Sequence, residues 1–572
     1  MVLLGSFRER PLGTVLSALV PAQIREYRPS IVFCACALTL VCSLLLGGGT
    51  RGGFLSDAIL ELIAIPAFLI ALSSLVDLPV WRTKTRTDMY GVLAFCFVIA
   101  LVPLIQLVPL PPWIWTRLPA REEMARVFDL VGGQTPWMPI SVSPHATWLS
   151  FLSLLPPIAI FLAAIQLSYR ERREATLVIV AVGVASAFLG LIQVAQGPTS
   201  ALRFFEFTNN TEAVGFFANR NHFAALLYAV LLFAAAWAID VAFKNGSWND
   251  LRRVAPAPII SLTISFMILI ILIAGETVAR SRAGLGLTII SMVAVFALVL
   301  TDRRNAFGIT PSKLLLGAIV LAIILTVQFA LYRILDRFTV DPMDDARIQF
   351  AHNTFRAAMA FLPFGAGLGT FVPVYAMFEP PSDTFQDIYA NHAHNDIFEL
   401  WLETGVFGMA LMGLFVIWLG FNSVRLWWKP LALASALDSS LARAATVVIA
   451  LLIAHSFVDY PLRTEAIMAI VAFSCALMIE PFQGSVTGMS IARERSHERA
   501  SRQHPALPAR ATLARDAAPA EPPTWTGEVD KPPKPLGQPG ERWGADIDWP
   551  QEWNTIETNP ASSGAVPDKK ET

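Results

Sequence analysis

Apolar residues in this chain fall into long runs separated by short polar connections. Twelve such runs of about 17–25 residues lie near 31–48, 55–77, 89–110, 147–168, 175–195, 221–243, 258–277, 283–300, 313–331, 397–423, 441–460 and 465–481. Runs of this length are long enough to cross a bilayer as helices. The first follows Arg25 and Arg28 but is not followed by a small-residue cleavage site, so it reads as a retained span and not as a signal peptide. The pattern predicts an all-α polytopic membrane protein of about twelve transmembrane helices, with a large loop before the tenth span.

The connections differ in charge. Arg82, Lys84 and Arg86 follow the second run, and Arg170, Arg172 and Arg173 follow the fourth. Lys244, Arg252 and Arg253 follow the sixth, Arg303 and Arg304 the eighth, and Arg425 and Lys429 the tenth. All fall on one side together with Arg8, Arg10, Arg25 and Arg28. The excess of Lys and Arg makes that side cytoplasmic and, with an even number of spans, puts both termini inside. The other side carries longer connections near 111–146, 196–220 and 332–396. The first holds Trp113 and Trp115, which suit the headgroup zone. The last is too long for a structureless loop and is expected to contain helices of its own, one over 347–361.

Composition agrees and adds a boundary. Of 572 residues, 55% are hydrophobic and 15% charged, with net charge -1; an ordinary soluble chain carries about 25% charged residues. A water-soluble enzyme and a basic nucleic-acid binder are excluded. The last 92 residues hold 24 of the 87 charged residues and 13 of the 39 prolines. The chain therefore divides into a cytoplasmic segment 1–30, a transmembrane domain 31–481 and a cytoplasmic tail 482–572, which is too polar to fold alone. Cys34, Cys36, Cys42, Cys96 and Cys475 all sit inside apolar runs, with neither metal spacing nor a disulfide framework.

The outward connections hold the residues that could carry chemistry. Arg220, in Asn219-Arg220-Asn221-His222, and Arg282, in Arg280-Ser281-Arg282-Ala283-Gly284, stand at span ends against the charge rule. Guanidinium groups bind phosphate bidentately and keep their charge, so these arginines are candidates for a pyrophosphate site. Arg347 lies in the long loop. His392 and His394 precede a helix start at Asp396, where Asp396 with Glu399 reads as a capping box and Gly405 as the helix end. A neutral His394 near a helix N-terminus, beside a bound anion, fits a general base, with His392 as the alternative. Gly365-Ala366-Gly367-Leu368-Gly369 has the wrong spacing for a phosphate loop and reads as a tight bend. Asp546-Ile547-Asp548 lies in the tail and is discounted. No Walker lysine loop, HExxH or paired-cysteine metal site appears.

In this order, Phe216-Phe217-Ala218-Asn219-Arg220-Asn221-His222-Phe223, Ser281-Arg282-Ala283-Gly284, Gly365-x-Gly367-x-Gly369-Thr370-Phe371, His394-Asn395, Gly405-x-x-Gly408 and His455 through Thr464 resemble the O-antigen ligase and polysaccharide polymerase superfamily. The resemblance covers roughly 140–480. It implies a bacterial inner-membrane glycosyltransferase that takes an undecaprenyl-pyrophosphate-linked glycan at the periplasmic face. The implied acceptor is a lipid A-core, a second lipid-linked glycan or a protein hydroxyl. It implies neither metal nor nucleotide nor other cofactor, and partners confined to these glycans and membrane lipids. By this likeness Arg220 and Arg282, with Arg280, would hold the pyrophosphate, and His394 would activate the acceptor. His392, Asn395, Glu399, Arg347 and Arg463 would support them or the acceptor. A base opposite the leaving group implies inversion at the anomeric carbon. The competing class is a transporter or flippase of lipid-linked oligosaccharide, which is expected to place charges at mid-membrane depth; here they gather on one face. A structural or sensory protein leaves them unexplained.

Overall fold

Eleven of the twelve predicted runs are helices in the computed structural model, which describes residues 28–51, 54–76, 85–206, 208–244, 256–301, 342–381, 390–428 and 435–482. The ninth run, 313–331, and the predicted tail beyond 482 lie outside these residues. Among the described residues the only β pairing is an isolated bridge, Leu110 with Met138. Eight described helices are long and apolar enough to cross a membrane, and Ile31–Leu46, Tyr90–Gln106 and Glu465–Leu477 are apolar but shorter.

The elements that position the site are α1 (Arg28–Leu46), α2 (Leu55–Val76), α3 (Thr85–Gln106), α4 (Glu122–Val131), α5 (Pro144–Leu152), α6 (Leu155–Ala164), α7 (Tyr169–Gln196), α8 (Arg220–Lys244), α9 (Pro256–Ala279), α10 (Arg282–Thr301), α11 (Pro342–Ala360), α12 (Phe371–Phe378), α13 (Asp396–Trp428), α14 (Ala436–His455) and α15 (Glu465–Leu477). Helix α8 is apolar on every face and is the core of the bundle, with residues 221–236 all buried; a helix hydrophobic all round has no face left for solvent. Gly284 brings α10 against it, since a Cβ at Gly284 would run into the Ala224 side chain. The starts of α8 and α10, which carry Arg220 and Arg282, therefore lie side by side.

The two ends of the bundle differ. At one end, buried Arg172 donates to the Ala164, Ile165 and Ile479 carbonyls, Arg173 pairs with Asp438 at 3.0 Å, and Arg443 donates to the Leu426 and Thr301 carbonyls. Here capping boxes at Ser168–Glu171 and Ser435–Asp438 start α7 and α14. These are the connections expected to face the cytoplasm. At the other end, Gly47 and Gly48 accept from Ala466 and Ala218, and Ala213 N–H donates to Val278 O. This end holds the outward candidates.

The long connection folds as expected near its start: α11 spans the predicted 347–361 helix and begins earlier, at Pro342. The glycine segment is a bend, with Gly365, Gly367 and Gly369 all at positive φ. It packs on a break in α13 at Gly405 (φ 60, ψ -146), where a Cβ would run into the Pro363 carbonyl oxygen. Gln106, at the end of α3, bridges the two by donating to Glu403 O at 2.8 Å and accepting from Leu368 N–H at 2.9 Å.

Candidate functional site

The start of α13 differs from the capping-box expectation. Asn395 is the cap: its Oδ1 accepts from the Ile397 and Phe398 N–H groups, each at 3.0 Å, and its amide donates to Phe457 O at 2.9 Å. Asp396 and Glu399 are thereby freed for another task. With Glu403 they form one face of the helix, and all three carboxylates meet Arg463. The Arg463 guanidinium lies 3.4 Å from Asp396, 3.5 Å from Glu399 and 2.5 Å from Glu403. Burial opposes the charge on Arg463, but the three carboxylates outweigh it and hold its pKa above the usual value. Ser456 Oγ donates to Asp396 at 2.7 Å. Arg463 thus clamps the connection 456–464 onto the start of α13.

That clamp sets two histidines in different roles. His392 Nε2 donates to the Thr50 carbonyl at 2.9 Å, and its Nδ1 meets Glu399 Oε1 at 2.8 Å. Burial disfavours the imidazolium, yet the charge and hydrogen bond of Glu399 outweigh it and raise the His392 pKa. Both ring nitrogens are occupied by acceptors, so His392 is a strut between Thr50 and α13. His394 differs. Its Nδ1 lies 3.0 Å from Asp459 Oδ1. A carboxylate only accepts, so the proton sits on Nδ1 and the lone pair of the neutral ring on Nε2. Among the described residues Nε2 has no hydrogen bond, and the side chain is 11% exposed. His394 adopts φ 50, an uncommon conformation for a residue with a side chain. Phe350 stacks on its ring at 6.0 Å, and Tyr460 meets it edge-on at 4.9 Å.

Asp459 ties His394 to α8, because Asn221 Nδ2 donates to its other oxygen, Oδ2. Burial alone would raise the Asp459 carboxyl; the hydrogen bond from the His394 N–H, with Arg347 nearby, outweighs it and holds it well below the usual carboxylate range. Burial pushes the neighbouring Tyr460 phenol up, so it stays neutral, its oxygen accepting from Asn219 at 3.4 Å.

One residue before Asn221, Arg220 pairs with Glu212 at 2.7 Å, and its N–H donates to Asn209 Oδ1 at 2.9 Å. Arg280 is exposed at the tip of the α9–α10 turn, at φ 53, and Arg282 opens α10, half-buried. Arg347, on α11 one turn before Phe350, lies within electrostatic reach of Asp459 and His455; its Nε is buried without a hydrogen bond among the described residues. Arg220, Arg347, His394 and Asp459 are thus joined through Asn221 and Phe350, with the Arg282 end of α10 against α8. Arg463, His392, Asn395 and Glu399 are held in structural contacts beside them.

The sequence reading passed over Asp459, Asn221 and Glu212 as site residues. A signal for Asp459 was present: a single acid in a short outer connection between apolar runs has to be partnered there. Nothing local marked Glu212, whose partner lies across a loop.

No curated protein matches the sequence. The O-antigen ligase family model matches residues 264–413. This stretch includes the α9–α10 turn, Arg347, the glycine bend and His394, while Arg220 and Asp459 lie outside it. The family suggests a glycosyl-transferring enzyme, and the bundle of apolar helices points to a multi-pass membrane protein. Over residues 264–413 the chain is thus similar to the O-antigen ligase family, and the match supports a membrane O-antigen ligase-like role.

Proposed function

We propose that this chain is an inner-membrane glycosyltransferase that moves a glycan from an undecaprenyl-pyrophosphate donor to an acceptor hydroxyl at the periplasmic face, as a ligase or as a surface-polysaccharide polymerase. The observation that carries the reading is His394, with Nδ1 committed to Asp459 and Nε2 without a hydrogen bond among the described residues, at the bundle end where the arginine-bearing starts of α8 and α10 meet.

The chemistry follows from these groups. His394 Nε2 accepts the acceptor proton as the hydroxyl oxygen bonds to the anomeric carbon. The anomeric C–O bond to phosphate breaks, and its electron pair leaves with the pyrophosphate. Arg220 and Arg282 neutralise the charge that gathers on that leaving group, with Arg280 at the rim and Arg347 near the base. Asp459 holds the tautomer and stabilises the imidazolium as it forms, the role of a carboxylate behind a catalytic imidazole. A single displacement gives inversion, and no metal is needed. The positive connections at the far end support a site outside and both termini in the cytoplasm.

A deletion strain tests the reading. Glycan shortened to one attached repeat indicates a polymerase; lipid-linked chains accumulating without attachment indicate a ligase. The wild-type gene should restore the glycan, and His394→Ala at normal membrane levels should not. A glycan profile unchanged by deletion would overturn the proposal.

A further inference from the structure

Arg220, the residue read above as a pyrophosphate ligand, is held by a carboxylate that nothing in that chemistry requires. Glu212 Oε1 lies 2.7 Å from Arg220 Nη1, and Glu212 Oε2 accepts from Thr211 Oγ1 at 2.8 Å. The Glu212 side chain is 8% exposed and that of Arg220 is 21% exposed. The acid is thus withdrawn from solvent while part of the guanidinium side chain still reaches it.

The segment that carries Glu212 is fixed by its backbone. Arg203 Nη1 donates to the Asn209 carbonyl at 2.6 Å and to the Glu212 carbonyl at 2.9 Å. Asn209 Oδ1 caps the Arg220 N–H, and Ala213 N–H donates to Val278 O, four residues before Arg282. An anion arriving at Arg220 therefore meets a buried carboxylate, held by Thr211 and by Arg220 itself, on a segment whose backbone is pinned.

We propose that Glu212 is a fixed counter-anion that weakens the grip of Arg220 on pyrophosphate, and does so most for the spent carrier. The proposal rests on the reading of Arg220 as a donor ligand. Its logic is charge. In the donor both phosphates are diesters, so the pyrophosphate carries two negative charges. After transfer the outer phosphate is a monoester and gains up to one more. A site with unopposed guanidinium groups would bind the product more tightly than the substrate and stall after each cycle. A carboxylate beside Arg220 repels both, and repels the product by one further charge–charge interaction.

Glu212→Gln isolates this effect. The amide oxygen still accepts from Arg220, so the support is kept and the charge is lost. Binding of undecaprenyl pyrophosphate and of its sugar diester is measured on the full-length protein in nanodiscs, beside single-turnover and steady-state transfer. Removing one unit charge several ångströms away is worth about three- to tenfold per unit of ligand charge. Glu212→Gln should therefore bind both ligands more tightly and raise the preference for the spent carrier over the donor by about three- to tenfold. Steady-state turnover should fall while the single-turnover rate holds. Equal weakening of both ligands would make Glu212 a strut for Arg220 and overturn the proposal, as would unchanged binding. Arg220→Gln, measured alongside, separates the two layers. If it loses both ligands while Glu212→Gln changes nothing, only the counter-anion fails; if it binds both normally, the reading of Arg220 fails and takes the counter-anion with it.

Discussion

Asp459→Asn should abolish transfer through a single amide orientation. Asn221 Nδ2 donates to Asp459 Oδ2, and Oδ1 accepts from His394 Nδ1 at 3.0 Å. An asparagine at 459 offers one oxygen and one NH2. Asn221 remains a donor, so the new amide oxygen has to face it, and the NH2 turns to His394. His394 Nδ1 must then accept, and its proton moves to Nε2, where it blocks the lone pair that takes the acceptor proton. Loss of a positioned general base is worth about 10²–10⁴-fold in rate, or about 3–5 kcal/mol on the barrier. Donor binding should change little, because neither Asp459 nor His394 is assigned to the pyrophosphate. The same geometry yields a rescue. In Asn221→Asp/Asp459→Asn the acceptor moves to position 221, the amide NH2 now at position 459 turns to it, and the amide oxygen again accepts from His394 Nδ1. The double variant should recover part of the rate lost in Asp459→Asn. His394→Ala/Asp459→Asn should be no slower than His394→Ala, since both changes remove one function. The assay is single-turnover transfer from an undecaprenyl-pyrophosphate donor, with donor binding for each variant. Near-wild-type transfer by Asp459→Asn would refute the dyad, and an Asn221→Asp/Asp459→Asn variant slower than either single would refute the amide argument.

Arg282→Ala should weaken donor binding about 10–100-fold, the worth of a charge-assisted hydrogen bond, and Arg282→Lys should recover only part, since the ammonium lacks the planar fork; equal binding by all three proteins would contradict this. His392 contributes stability through its raised pKa. That contribution is fully present below the unfolded value of 6.5 and is lost as pH rises through the higher folded value. Thermal unfolding followed from acidic to alkaline pH should show this loss in the wild type and a flatter profile in His392→Gln; parallel profiles would contradict it. Gly405→Ala forces a Cβ into the Pro363 carbonyl at φ 60, which should destabilise by at least about 2 kcal/mol and show as a lowered melting temperature in detergent.

The helices of the eleven described runs were legible because run length and apolar composition act locally, whatever each run packs against. The ends were less so. The eleventh run was expected to end near residue 460, but α14 stops at His455, because Asp459, Tyr460 and Arg463 are needed in the turn that meets α13. The arginines and His394 stood out as candidates because each lies in an outer connection, the arginines against the charge rule. Their division of labour was not readable. His392 and His394 are equivalent by spacing, and only Glu399 and Thr50 on one side and Asp459 on the other tell them apart. Asp396 and Glu399 fitted a capping box by sequence. Asn395 displaced them from it, because a short amide capped the helix and left the acids for Arg463.

The claim that His394 is the base of a lipid-linked glycan transfer meets its most direct test in one reaction. Purified full-length protein is given an undecaprenyl-pyrophosphate-linked glycan and an acceptor in the presence of chelator, and the linkage formed is read for its anomeric configuration. The account expects transfer with inversion by the wild type and no measurable transfer by His394→Ala, which should still bind the donor. Undiminished transfer by His394→Ala would contradict it, as would retention of configuration or loss of wild-type transfer on chelation.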